Sequence, residues 1–217
     1  MKEIAKNFVE RVQNQINNLF GIKIKIEESD SENAFKKTRD CLNNCIGIKR
    51  LFSKRELNLN VNDSSIMCIY MYFLSSELFK KNCEPGLYES IYLANKALHG
   101  IDLMYNVTLP TTFFLEHPVG SVMGRAEYGM NFLFRQCCTV GAVGKNYPKI
   151  GNNVEMCANT MILGSALVED FVCIAPGSII KKEHIPSYSL VTGCSPNLKI
   201  IPKSITWFKA RSVFKLF

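Results

Sequence analysis

The stretch IGNNVEMCANTMILGSALVEDFVCIAPGSII, residues 150–180, places an aliphatic side chain at every sixth position: Ile150, Met156, Ile162, Val168, Ile174 and Ile180. The residues four places after the first five of these are Val154, Thr160, Ala166, Val172 and Ser178, all small or β-branched. An amphipathic helix repeats near 3.6 residues and a half-buried strand every second residue, so a period of six fits neither. It fits a triangular β-coil: each short strand sends one apolar side chain inward, small residues lie near the corners, and three hexads close a turn. The competing reading is a β-sandwich with coincidental spacing. Six aliphatics in one phase argue against coincidence.

Outward from this stretch, Val122, Tyr128, Phe134 and Val140 keep the same spacing, and Leu103, Leu109 and Leu115 form a third series. Two steps break the period. The ten residues from Val140 to Ile150 require residues 142–149, AVGKNYPK, to leave the coil as a loop. The seven-residue step from Leu115 to Val122 contains Glu116-His117-Pro118. Segments ejected from a rigid scaffold are where function concentrates.

Before residue 101 the signals are helical. Ile4, Phe8, Val12 and Ile16 recur every four residues, and the segment from Glu84-Pro85-Gly86 to Gly100 has a proline start and a glycine stop. Residues 65–82 read as a buried apolar helix and the polar Glu27 to Asn33 as a loop. The fold class is therefore α+β: a helical domain over residues 1–100, a parallel β-helix over 101–202 and a tail over 203–217.

The net charge of +7 comes from dispersed cations with no aromatic-basic motif, which argues against a nucleic-acid partner and suits an anionic cofactor or a membrane surface. The longest apolar run, Ile66 to Leu74, is too short to span a bilayer. The first twenty residues mix charges with apolar side chains at helical spacing and do not form a signal peptide. The nine cysteines are expected as reduced thiols of a cytoplasmic protein. Cys41 and Cys45 lack histidine partners and Cys137-Cys138 are adjacent, so no metal site is expected.

Acyl transfer to a hydroxyl needs a base, and imidazole has the appropriate pKa near neutrality. Of the three histidines, His99 ends a predicted helix, where a cation is favoured, and His184 lies in the polar KKEH segment. His117 sits at the register break beside a carboxylate. The alternative for it is a turn histidine satisfied by backbone.

From about residue 85 to 202 the chain resembles the serine acetyltransferase family. The resemblance rests on Asp102 fifteen residues before His117, on Glu116-His117 with Gly124 seven residues on, and on Pro148-Lys149-Ile150-Gly151. It extends to Gly177-Ser178-Ile179-Ile180, then Ile185-Pro186 and Gly193-Cys194-Ser195-Pro196. It implies a left-handed β-helix, acetyl-CoA as donor, and a homotrimer or dimer of trimers with the cofactor between neighbours. It also implies His117 as general base, Asp102 orienting it from the neighbouring rung, and Glu116 holding the acceptor. Gly141 and Gly144, in the turn at the loop mouth, offer N–H donors for an oxyanion, with Lys145 beside them. Ala158 and Ser178 are expected along the pantetheine arm, and Lys181, Lys182 and Lys199 at the phosphates of CoA.

One segment departs from the pattern. Where the family has Arg-His-Pro-Lys-Ile, this chain has Asn146-Tyr147-Pro148-Lys149-Ile150. Asparagine cannot give a carboxylate a charge-assisted bidentate contact, whereas Asn146 and Tyr147 suit a sugar. The expectation is therefore an O-acetyltransferase acting on a carbohydrate hydroxyl, of a nucleotide-sugar or a surface or capsular polysaccharide. The alternatives are a divergent serine O-acetyltransferase of cysteine synthesis and a catalytically silent hexapeptide-repeat subunit. The basic, aromatic tail either touches a membrane surface or packs on the coil or the helices.

Overall fold

The computed structural model describes residues 2–53 and 56–216. Four α-helices come first: α1 (Lys2–Phe20), α2 (Glu28–Asn43), α3 (Ser64–Lys80) and α4 (Pro85–His99). A small antiparallel hairpin, β1 (Phe52–Ser53) and β2 (Glu56–Leu57), lies between α2 and α3. α1 buries Ala5, Phe8, Val9, Val12 and Ile16 on one stripe, while Ile4 faces out. α3 is buried continuously from Ser65 to Leu78. It has no polar face because its neighbours surround it: Tyr72 Oη donates to the carbonyl of Val107 and accepts from the amide of Leu109, each at 2.9 Å. α4 stops at Gly100, whose φ of 63° lies in the left-handed region that favours glycine.

The stretch expected as a loop, Glu27 to Asn33, is instead the first part of α2. Its buried stripe consists of Asp30, Ser31, Ala34, Phe35, Thr38, Cys41 and Leu42. The spacing is helical, but three members are polar and give no hydrophobic signal. They are buried with partners: Asp30 pairs with Lys81, Ser31 Oγ donates to the Ala5 carbonyl at 3.1 Å and meets Tyr70 Oη at 2.9 Å, and Thr38 bonds the Ala34 carbonyl.

The coil runs through β3 (Asp102–Leu103), β4 (Phe113–Leu115), β5 (Val122–Met123), β6 (Glu127–Tyr128), β7 (Phe132–Phe134), β8 (Thr139–Gly141), β9 (Lys149–Ile150) and β10 (Glu155–Met156). It continues through β11 (Met161–Leu163), β12 (Leu167–Val168), β13 (Val172–Ile174), β14 (Ile179–Lys181), β15 (His184–Ile185) and β16 (Ser189–Thr192). These strands form three parallel faces. A five-strand face is ordered β14-β11-β8-β5-β3 and a four-strand face β15-β12-β9-β6. The third has β16-β13-β10-β7-β4, with β17 (Lys199–Pro202) added antiparallel beside β16 to make six strands. Ile150, Met156, Ile162, Val168, Ile174 and Ile180 are all at most 4% exposed, so the six-residue series is the interior of the prism. The same apolar core continues into the helices.

The earlier series slips. Val122 is 41% exposed and Met123 is the inward side chain, because the corner around His117 holds one more residue than the spacing assumed. Of the expected loop 142–149, residues 142–148 leave the prism as a tight excursion bridged between Val143 and Asn146, and Lys149 already belongs to β9.

After β17 comes α5 (Ile205–Arg211), capped by Ser204, whose hydroxyl accepts from the Trp207 amide. Phe208 packs on Phe171 and Tyr188. Val213 and Lys215 then make backbone hydrogen bonds to Gly47 and Asn44. Of the two readings of the tail this is the packed one: Phe208 and Phe214 are buried against the protein, and Trp207 lies between Lys203 and Arg211. Among the described residues no helix is long and apolar enough to cross a membrane. All nine cysteines are free thiols.

Candidate active site

His117 stands on the edge where the six-strand face turns into the five-strand face, in the corner between β4 and β5. Its backbone has a φ of 51°, uncommon for a residue with a Cβ and a mark of local strain. The corner is fastened on both sides. Val119 N–H donates to the His117 carbonyl at 2.8 Å, Gly120 N–H to Gly100 at 2.8 Å, and Cys137 N–H to Val119 at 2.9 Å. The imidazole is exposed, and among the described residues it has no side-chain partner.

The other two histidines are committed. His99 Nδ1 lies 2.7 Å from Asn95 Oδ1, and burial pushes its pKa below the usual range. His184 Nε2 lies 2.7 Å from Glu169 Oε1, and Ser187 binds the other oxygen of that carboxylate.

Asp102 makes no hydrogen bond to His117 among the described residues. Its carboxylate takes 2.8 Å from Tyr92 Oη and 2.6 Å from Lys96 Nζ, both on α4. Partial burial pushes the carboxyl up, and the bonds from Lys96 and Tyr92 more than offset it, so Asp102 sits below the usual carboxylate range. The expected histidine–aspartate pair is thus replaced by a strut: α4 passes over β3, and Asp102 joins the two beside β5, to which it is paired at Val122.

Glu116 is drawn outward as well. Arg135 Nε lies 3.0 Å from it, Arg135 Nη1 lies 2.6 Å from Glu155, and Arg211 of α5 completes the ladder at 3.2 Å from Glu155. Beside this ladder Glu155, Cys157 and Cys173 bring ligand-type atoms within 4.8 Å of one another. Each of those atoms already has a guanidinium nitrogen near it: Arg135 Nη1 lies 3.7 Å from Cys157 Sγ, and Arg211 Nη2 lies 3.8 Å from Cys173 Sγ. A cation there would displace both arginines, so the cluster is an ion-pair network.

The other expected residues divide between two edges. Ala158 stacks on the His117 edge, where its carbonyl accepts from Gly177. Gly141, Gly144, Lys145, Asn146, Tyr147, Lys181 and Lys182 gather on the opposite edge of the five-strand face, where it meets the four-strand face. There a cavity of about 280 Å³ is lined by Lys145, Asn146, Tyr147, Lys149, Ser165, Ala166 and Leu167.

Ser178 is corrected. It is 0% exposed inside the prism, and its amide and carbonyl are taken by Ala175 and Met161, so nothing of it faces a cofactor. Lys199 is on β17, paired with Thr192 of the six-strand face, away from the other lysines. Sequence reasoning missed Arg125, whose guanidinium carbon lies 5.1 Å from the centroid of the Tyr147 ring. Only folding brings together residues 22 positions apart.

No family model matches the chain. A serine acetyltransferase of Staphylococcus xylosus is 26% identical over 170 residues, covering 76% of this chain and 74% of that protein. The crystal structure of the Neisseria gonorrhoeae serine acetyltransferase superposes with a TM-score of 0.72 at 18% identity, over 91% of this chain and 78% of that one. Over most of its length the chain is similar to serine acetyltransferases.

A further serine acetyltransferase, solved in complex with CoA, matches at a TM-score of 0.69 and 18% identity over 88% of this chain and 81% of its own. The left-handed β-helix behind N-terminal helices is therefore the fold this chain shares with these structures. The same relatives overturn the carbohydrate reading, and with it the polysaccharide and capsule acceptors. That reading counted cations only within the Asn146-Tyr147 segment. In three dimensions a guanidinium from the preceding turn lies against Tyr147.

Proposed function

We propose that the chain transfers an acetyl group from acetyl-CoA to the hydroxyl of serine, with His117 as general base. The observation that carries this is the contrast among the histidines: two are committed to protein partners, and the third is open on a strained corner. The imidazole takes the hydroxyl proton as the serine oxygen attacks the thioester carbonyl. The tetrahedral intermediate collapses, the carbon–sulfur bond breaks, and the thiolate takes up the proton. O-acetylserine and CoA leave.

His117 and the 142–148 loop occupy opposite edges of one face, so a single copy cannot bring both to one acceptor. We therefore place the site between copies, the His117 edge of one facing the loop edge of the next, as a closed threefold assembly allows. Lys145, Lys181 and Lys182 on the loop edge supply the positive charge a CoA phosphate needs, with Gly141 and Gly144 as backbone donors at the loop mouth. The nucleotide sits there and the thioester reaches toward the neighbour's His117. Asp102 acts indirectly, by tying α4 to β3 beside the His117 corner. The test is release of free CoA thiol with L-serine and acetyl-CoA, together with light scattering. Serine-dependent thiol release from a trimer or its multiple supports the reading, and a fully active monomer overturns the shared site.

A further inference from the structure

An acceptor that carries a carboxylate needs a cation, and the loop that lines the cavity offers asparagine and tyrosine at its tip. The neighbouring turn supplies the missing group. Gly124 has no room for a side chain, since a Cβ there would lie 2.7 Å from the carbonyl oxygen of Val140. Its amide donates to that same oxygen at 2.8 Å, and Tyr128 Oη donates to the Gly124 carbonyl at 2.7 Å. The chain is thus pressed against β8 where the loop departs, and the next residue, Arg125, emerges exposed beside Tyr147.

A guanidinium over an aromatic ring is oriented by the ring while its in-plane N–H donors stay free. Among the described residues Arg125 has no carboxylate partner. Lys149, the other cation next to Tyr147 in the lining, is already paired with Glu127 at 3.1 Å. Lys145 is a point charge on a flexible stem, without the planar fork that matches a carboxylate.

We infer that Arg125, held by Tyr147, binds the carboxylate of the amino-acid acceptor and so determines acceptor choice. This rests on the acceptor reading above. Charge-assisted hydrogen bonds of this kind are the strong ones, and a bidentate pair adds directional selectivity.

The experiment compares L-serine with serinol, which keeps the amine and the hydroxyl and replaces the carboxylate by a second carbinol. CoA release gives kcat/KM for wild type, Arg125→Ala and Arg125→Lys. The wild type should prefer serine. Arg125→Ala should shrink the serine-to-serinol ratio about 10- to 100-fold, chiefly through the serine KM, with the acetyl-CoA KM held within about twofold. Arg125→Lys should recover part of the ratio. Serine turnover with an unchanged ratio in Arg125→Ala overturns this inference alone. No serine turnover by the wild type overturns the acceptor reading and the inference with it.

Discussion

Replacing Asp102 by asparagine separates two roles for that residue. If its carboxylate oriented the His117 imidazole, as the acid of a hydrolase triad does, losing the charge would cost kcat about 10⁴-fold. The structure instead gives the carboxylate to Lys96 and Tyr92. The Lys96–Asp102 pair is 2.6 Å long, with side chains 48% and 32% exposed, so it is worth about 0.2–1 kcal/mol. The Tyr92 hydroxyl can still donate to the amide oxygen of asparagine. In a chain of this size 1 kcal/mol shifts Tm by about 2–4 °C, so Asp102→Asn should lower Tm by no more than about 4 °C and reduce kcat by less than about tenfold. Because the Asp102 pKa is depressed in the fold, this contribution is complete above the ordinary carboxylate value. It disappears as pH falls through the lower folded value, so the Tm difference should close in acid. Thermal unfolding against pH and CoA release under saturating substrates measure both. A thousandfold loss of kcat with an unchanged Tm would refute the reasoning and return Asp102 to the imidazole.

His117→Ala should leave CoA binding nearly intact, as measured by calorimetry, while lowering turnover about 10²- to 10⁴-fold; wild-type turnover would remove His117 from the mechanism. Ser31→Ala should cost about 1–3 kcal/mol by leaving the Tyr70 hydroxyl buried without its partner, and adding Tyr70→Phe should recover part of that. Strict additivity in denaturant unfolding would show that the two hydroxyls are not coupled. The Glu169 carboxyl is held at about 2, first by the hydrogen bond with His184 and then by Ser187. Stability from it is present above the ordinary value of about 4.3 and lost as pH falls toward 2, so Glu169→Gln should flatten the acid limb of Tm against pH, and an unaltered slope would count against it.

The β-helix was legible because each inward position is apolar for a local reason, and residues 150–180 say so without help from the rest of the chain. α2 was not, since its buried stripe includes Asp30, Ser31 and Thr38, whose burial is offset by Lys81, by Ala5 and Tyr70, and by the helix's own Ala34 carbonyl. The corner that carries His117 was legible from the register break. The partner of Asp102 was not: the aspartate–histidine separation says nothing of Lys96 and Tyr92, which reach it only because α4 crosses β3. The acceptor was misjudged for a similar reason, because a local segment was read as if it were a whole binding wall. Ser178 obeys the repeat too well to serve as a surface contact, since its position in the hexad sends it inside.

The two ends of the coil set its length. At one end the helices cover the first turn, with Cys41 of α2 in contact with the backbone of Phe113. At the other, β17 runs against the direction of every other strand on its face, so a further parallel rung finds no matching edge there. These two lids oppose end-to-end pairing, the standing hazard of a repetitive sheet, on the six-strand face. The turns between them are interchangeable units. An inserted set of three hexads would add one strand to each face and lengthen the prism by about 4.8 Å, moving the lids apart without altering either, so coil length can change in evolution or by design as a count of modules.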